Sequence, residues 1–412
     1  MMALLLDGVL LAAGAIALAQ VARWLRLPPL LGMLAAGVVF GALNVDAGLG
    51  GPRLEDYSSP IRTAVLALVL LRAGLGIPLE ELRRSGALGL RLAILPLLAD
   101  AALVTTGGVL LLGLPLPSAL VLGFLVAAIS PAIVIPGLLD LLGRKDLSNR
   151  RAVSALLVGA PLDNILALVL MGVALDAALS GSGLSASFVG VLGWKVGVGL
   201  AAGVVTGAGL GRLATWRRVD GGSPATVGAV AAAALAVVLA GELWEFSFVL
   251  ALIALAITFA RVAPQVAAGL EPRLKQIWTV AQYALFGLIG AAVDLGPVAA
   301  AGAAVVVVVV MGQIGRAGGS WLATAGAGLS SRERLGCVLA YVPKATIQAA
   351  FAALPLDRGL AAGELILTAG VLAVVITAPM GVVSLNRGAA RLLAGPRPEP
   401  VAPARDSQPS HG

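Results

Sequence analysis

Apolar segments long enough to cross a bilayer follow one another almost without pause from residue 3 to residue 386, and that succession constrains the fold more than any single motif. A helix needs roughly 20 apolar residues to span the hydrocarbon core. These segments are rich in Ala, Leu, Val and Gly and lack the short alternating strands of a barrel. With 59% hydrophobic and 12% charged residues and a mean hydropathy of +1.01, the composition fits no ordinary soluble domain. The chain is expected to be an all-α polytopic membrane protein.

Thirteen candidate spans can be counted, at roughly 3–22, 28–44, 60–78, 87–113, 116–140, 150–177, 187–211, 224–241, 246–262, 274–294, 297–319, 333–356 and 360–386. Lys and Arg give them a direction, because cytoplasmic connections are enriched in both. Most of the 28 basic residues fall on alternate connections, from Arg23 and Arg26 through Arg150 and Arg151 to Arg387 and Arg391. Only Arg53, Arg62 and Arg358 fall on the opposite side. The N-terminus is therefore expected outside and the C-terminus in the cytoplasm. This placement also accounts for the net charge of +7 without a nucleic-acid partner. A single cysteine, Cys337, and a single histidine, His411, leave no intrachain disulfide and no metal cluster, and no cofactor is expected. The first segment has neither a basic n-region nor a convincing cleavage site, so it reads as a retained span. Compact loops and a short Pro-rich tail over 389–412, expected to be disordered, suit a bacterial plasma membrane.

An odd number of spans divides into six, a linker span, and six more of opposite orientation, the inverted-repeat plan of many secondary transporters. The fifth and twelfth spans then correspond, and proline interrupts both. One reads SPAIVIPG, with Pro131 and Pro136; the other reads YVPKATIQAAFAALP, with Pro343. Each proline removes a backbone donor and blocks a carbonyl, so both helices are expected to break near the midplane and expose groups able to coordinate an ion. On this plan residues 1–178 and 222–388 are the two repeats and 179–221 the linker.

Ionisable residues inside the apolar segments point to function, since a charge at bilayer depth costs about 2.5–3.5 kcal/mol on insertion scales. Asp163, beside Asn164 in GAPLDNILALVL, is the leading ion-binding carboxylate. Lys344, directly after Pro343, is its expected partner and a group whose charge can change. Asp100 and Arg316 occupy repeat-related spans and read as a structural ion pair, although Arg316 could instead lie at the cytoplasmic boundary. Ser130, Thr346, Asn164 and Gln348 supply hydroxyl and amide oxygens around the breaks, with Pro131 shaping the first; oxygen donors suit a hard alkali cation such as sodium. Arg72 has no evident partner near the cytoplasmic end of span three. The stripe GVGLAAGVVTGAGLG in span seven reads as close helix packing. No phosphate-loop pattern is present.

The strings LRLPPLLGMLAAGVVFG, LRAGLGI, ILPLLADAAL, LGFLVAAISPAIVIPGLLDL, PLDNILAL, SSRERLGCVLAYVPKATIQAAF and ITAPMG resemble the monovalent cation:proton antiporter superfamily, in its sodium/hydrogen antiporter branch. The resemblance implies a 13-helix fold, a homodimer, and a core of residues 86–178 and 297–388, with two crossed broken helices, that moves in an elevator-like cycle against a dimerisation domain of residues 1–85 and 222–296. It also implies that Asp163, Asn164 and Lys344 occupy the ion site and that Asp100 and Arg316 match a structural acid and base. The family usually carries Asp-Asp or Asn-Asp where this chain has Asp163-Asn164. Either Asp163 takes over the role of the second acid, or coupling is altered or lost.

If Asp163 and Lys344 are the titrating pair, the site alternates between a charged lysine and a bound sodium or lithium ion, and exchange for a proton is electroneutral. A potassium/proton antiporter, a carrier of another substrate on the same fold, and a transport-dead sensor are the alternatives. An enzyme is not expected, because no nucleophile with a base is visible.

Overall fold

Proline and glycine decide where the apolar segments bend and where they break. In the computed structural model, residues 2–25, 27–44, 58–75, 79–144, 147–180, 186–293 and 295–394 are described, and among them the regular structure is helical. The helices are α1 (Met2–Trp24), α2 (Pro29–Asn44), α3 (Ser58–Leu75), α4 (Leu79–Leu112), α5 (Leu116–Ala127), α6 (Pro131–Gly143), α7 (Arg150–Ser180), α8 (Ala186–Trp216) and α9 (Pro224–Leu243). They continue with α10 (Phe248–Val262), α11 (Pro264–Ala291), α12 (Leu295–Ala323), α13 (Ser331–Ala340), α14 (Thr346–Phe351), α15 (Leu354–Asp357) and α16 (Gly363–Val383), which runs through a π-turn into α17 (Ala390–Leu392). Among the described residues, eight helical stretches are long and apolar enough to cross a membrane by length and composition, and four shorter apolar helices accompany them. Trp24, Trp216 and Trp244 lie exposed at or just past the ends of α1, α8 and α9, where an interfacial aromatic belt would place them.

Two segments are interrupted. The fifth breaks at Ala128–Ser130 between α5 and α6, and the twelfth at Tyr341–Ala345 between α13 and α14. Not every proline breaks its helix. Pro131 stands at the start of α6, where its missing N–H costs nothing, while Pro136 stays inside α6, as Pro161 does in α7 and Pro379 in α16. The expectation that Pro136 also interrupts its span is thus corrected. The polar tail starts later than residue 389 as well, because the C-terminal helical run continues to Leu392; residues 395–412 lie outside the described set.

Glycine stripes bring the remaining helices close. Along α12, a Cβ on Gly312, Gly315 or Gly319 would meet Asp100, Ala99 and Leu95 of α4 in turn. Along α8, Gly199, Gly203 and Gly207 lie against the carbonyls of Ser247, Ala251 and Leu255 at and along α10. The span-seven stripe does serve close packing, as small residues do where lipid offers no hydrophobic drive between helices. Arg72 has an aromatic neighbour: its guanidinium stands 5.7 Å from the centroid of Trp278 on α11.

Candidate functional site

The two breaks cross, and their backbone groups are satisfied by named partners. An interrupted helix leaves unpaired carbonyls in its last turn. At the end of α5, the carbonyls of Leu125, Val126 and Ala128 accept from Gln348 Nε2 at 3.1, 3.2 and 2.5 Å, and that of Ala127 accepts from Arg316. Ile129 N–H donates to Asp163 Oδ1 at 3.2 Å, and Ser130 N–H donates to the Pro343 carbonyl at 2.8 Å. In the second break, the Val342 carbonyl accepts from Gln313 at 3.0 Å and the Lys344 carbonyl from Thr377 Oγ1 at 3.0 Å. The hydroxyls of Ser130 and Thr346 meet at 3.1 Å, so the N-cap of α6 touches the first residue of α14.

Charges fill the space beside this crossing. The stripe of Gly312, Gly315 and Gly319 lets α12 press against α4, which places Arg316 Nε 2.8 Å from Asp100 Oδ2. The other two guanidinium nitrogens each lie 3.1 Å from Asp163 Oδ2 on α7. Lys344 Nζ lies 2.5 Å from Asp100 Oδ2. Asp100, Asp163 and Lys344 are fully buried and Arg316 is 1% exposed. Two acids and two bases therefore form one chain, Lys344 to Asp100 to Arg316 to Asp163, with no net charge. Neutrality is what low dielectric demands, since an unpaired charge there is far costlier than a paired one.

The sequence reading paired Lys344 with Asp163 and Arg316 with Asp100. The structure joins Arg316 to both acids and gives Lys344 to Asp100. The reason lies in donor number: a guanidinium presents five N–H groups in a rigid fork and can serve two carboxylates and a carbonyl together. Burial of Arg316 also settles that it does not stand at a boundary. Asn164 lies beside Asp163, 3% exposed, and neither its amide oxygen nor its amide nitrogen has a hydrogen-bond partner among the described residues. Asp100 Oδ1 and Gln348 Oε1 are likewise buried without one. These oxygens, with Asp163 and the paired hydroxyls, are the ones able to receive a cation.

The sodium/hydrogen exchanger transmembrane family matches residues 9–387. The chain belongs to that family. Among its relatives, the sodium/hydrogen exchanger 9B2 of Mus musculus is 31% identical over 378 residues, covering 86% of this chain and 66% of the mouse protein. The Homo sapiens 9B2 protein is 30% identical over 408 residues, covering 89% of this chain and 70% of its own. The chain thus spans about two thirds of the length of these relatives. Among solved structures, the sodium proton antiporter MjNhaP1 from Methanocaldococcus jannaschii at pH 8 superposes with a TM-score of 0.72 at 18% identity, over 95% of this chain and 98% of that one. The chain therefore shares the fold of that solved structure. The curated relatives are animal proteins, so the expectation of a bacterial membrane rests on loop and tail length alone.

Sequence reasoning missed several groups that hold the site. Thr377 lies in the string ITAPMG but carries no charge to mark it, and Gln313, three residues before Arg316 in α12, is uncharged as well. A further buried pair, Arg62 with Asp357, joins α3 to α15 at the far end of α14. In the sequence Arg62 counts only as one of the three basic residues on the side opposite the cytoplasmic connections, with nothing to mark Asp357 as its partner.

Proposed function

We propose that this sodium/hydrogen exchanger is a secondary active antiporter that exchanges sodium, with lithium as a second ion, for protons in a one-for-one, electroneutral cycle. The observation that carries the proposal is the neutral, buried chain of Lys344, Asp100, Arg316 and Asp163 at the crossing of two broken helices. A sodium ion that binds Asp163 takes the place of the two Arg316 nitrogens. Arg316 then falls wholly to Asp100, whose hold on the Lys344 ammonium weakens, and Lys344 releases its proton. Before the step the site holds two acids, an arginine and a charged lysine. After it the site holds two acids, an arginine, a sodium ion and a neutral lysine. Charge is unchanged, and one proton has left for one cation.

The finer architecture belongs to the same reading: 13 transmembrane helices, two inverted six-helix repeats, and a homodimer. Residues 86–178 and 297–388 form a core that moves elevator-like against residues 1–85 and 222–296, with the C-terminus cytoplasmic. The site residues Asp100, Ser130, Asp163, Asn164, Arg316, Lys344, Thr346 and Gln348 all lie within residues 86–178 and 297–388, which supports a core that carries the site as one unit. A second reading, a membrane sensor without flux, is favoured by one observation: Asp163 is already occupied by Arg316 and Asn164 cannot ionise.

Proteoliposomes carrying a proton gradient and a pH dye separate the two. Collapse of the gradient on adding sodium or lithium, abolished in Asp163→Asn, supports antiport. Cation binding with no collapse supports the sensor, and collapse by potassium alone would place the chain with potassium/proton exchangers.

A further inference from the structure

We infer that Arg62 and Asp357 are positioning residues for the cation site, anchoring from its far end the half-helix that carries Thr346 and Gln348. The inference deepens the antiport reading and rests on it. Arg62 Nε lies 3.0 Å from Asp357 Oδ2, and its terminal nitrogen pairs with the other carboxylate oxygen, so the contact is bidentate. Arg62 is only 7% exposed. A buried ion pair is weak evidence of stability, because desolvation offsets much of its attraction. What such a pair supplies is geometry, since a planar fork on a carboxylate fixes both distance and orientation.

That geometry is needed because α14 cannot hold itself. It has six residues, far short of the length at which a helix is stable alone, and its N-cap, Ala345, has no side-chain hydrogen bond. At its start it is gripped by Ser130 and by Gln348 on the α5 carbonyls. At its other end the chain passes through the four residues of α15 and turns back at Gly359, φ 75°, into α16. Gly363 lies against Leu356 closely enough that a Cβ would fall 2.5 Å from the Leu356 Cα, so the return is rigid. Asp357 is the residue through which this hairpin grips α3. The neighbouring Arg358 stands 5.6 Å from the Phe248 ring centroid and within electrostatic reach of Asp176, which ties the same turn to α10 and α7. The pair therefore joins the turn that follows the helix bearing two site residues to α3, in the unit against which the core is proposed to move, so it holds that helix in this conformation and opens when the core moves.

The prediction is a split between affinity and rate. In proteoliposomes, Arg62→Gln should raise the half-saturating sodium concentration roughly five- to tenfold, as displaced ligating groups do, with the maximal rate unchanged or raised, because the pair must open each time the core moves. Arg62→Lys should recover part of the affinity, and the swap Arg62→Asp with Asp357→Arg most of it. Hydrogen exchange on the same proteins gives a readout independent of transport. Amides of residues 346–357 should lose protection in Arg62→Gln while those of α4 and α12 keep theirs. Unchanged sodium affinity and unchanged protection in Arg62→Gln overturn the inference, as does a loss in maximal rate with affinity intact. If the wild type carries no flux, the antiport reading fails on its own, and the exchange data alone decide whether the anchor exists.

Discussion

The Lys344 ammonium sits 2.5 Å from Asp100, and the arginine that binds the same carboxylate oxygen also covers Asp163. Two cations of different kind thus share one acid. Arginine keeps its proton under all ordinary conditions, whereas a buried lysine can lose one. Lysine is then the one base in the chain able to supply the exchanged proton.

Lys344→Arg tests this assignment directly. The substitution preserves charge and can still reach Asp100, so the protein should fold, with a stability change of about 1–3 kcal/mol from the larger side chain. Sodium-driven proton flux should fall to the background of empty vesicles. Flux at the wild-type rate would mean that the proton travels on another group.

Arg316 makes the opposite case, a group whose loss strikes the fold first. Arg316→Gln leaves Asp100 and Asp163 with Lys344 alone, and an uncompensated buried carboxylate destabilises by about 3–5 kcal/mol. Arg316→Lys should fall between that variant and the wild type, because a single ammonium cannot bridge both acids. Thermal unfolding in detergent, followed by fluorescence-detected size exclusion, ranks the three proteins. A melting point for Arg316→Gln at or above that of the wild type would contradict the bridging role.

Much of the helical layout is legible in the hydropathy, because each apolar block must satisfy its backbone internally once it lies in lipid. Proline was less informative than it looked. Pro131 starts α6 and Pro136 lies within it, and only packing tells them apart. Asp163, Asp100, Arg316 and Lys344 stood out in sequence as charges among apolar neighbours. Their pairing did not, since it depends on how near α4 approaches α12, and that distance is set by Gly312, Gly315 and Gly319. Arg62 and Asp357 escaped notice because they lie 295 residues apart, each next to residues typical of a segment end.

The glycine stripe yields a matched pair of substitutions. A Cβ on Gly315 would meet the Ala99 carbonyl, while one on Gly318 meets nothing within 4 Å. Gly315→Leu should push α12 from α4, separate Arg316 from Asp100 and abolish exchange, with overpacking costing about 1–3 kcal/mol or more. Gly318→Ala should leave exchange intact and stabilise its helix by up to about 1 kcal/mol. Equal behaviour of the two variants in melting and flux would show that the stripe is not what brings the charges together.

On the proposed cycle, Asn164 is the residue that should set the stoichiometry. It is buried, neutral and, among the described residues, without a hydrogen-bond partner, and it stands next to the carboxylate proposed to bind sodium. Both cations of the charge chain are already committed to Asp100 and Asp163. A carboxyl introduced by Asn164→Asp has none to spare, so desolvation keeps it protonated until a cation enters. Sodium would then displace two protons, one from this carboxyl and one from Lys344, and each turnover would move a net charge. Wild-type proteoliposomes on a solid-supported membrane should show no sodium-driven current. Asn164→Asp should show one that scales with turnover and reverses with the direction of the imposed potential. Current from the wild type would refute the electroneutral cycle, and silence from an actively exchanging Asn164→Asp variant would refute the role given to this position.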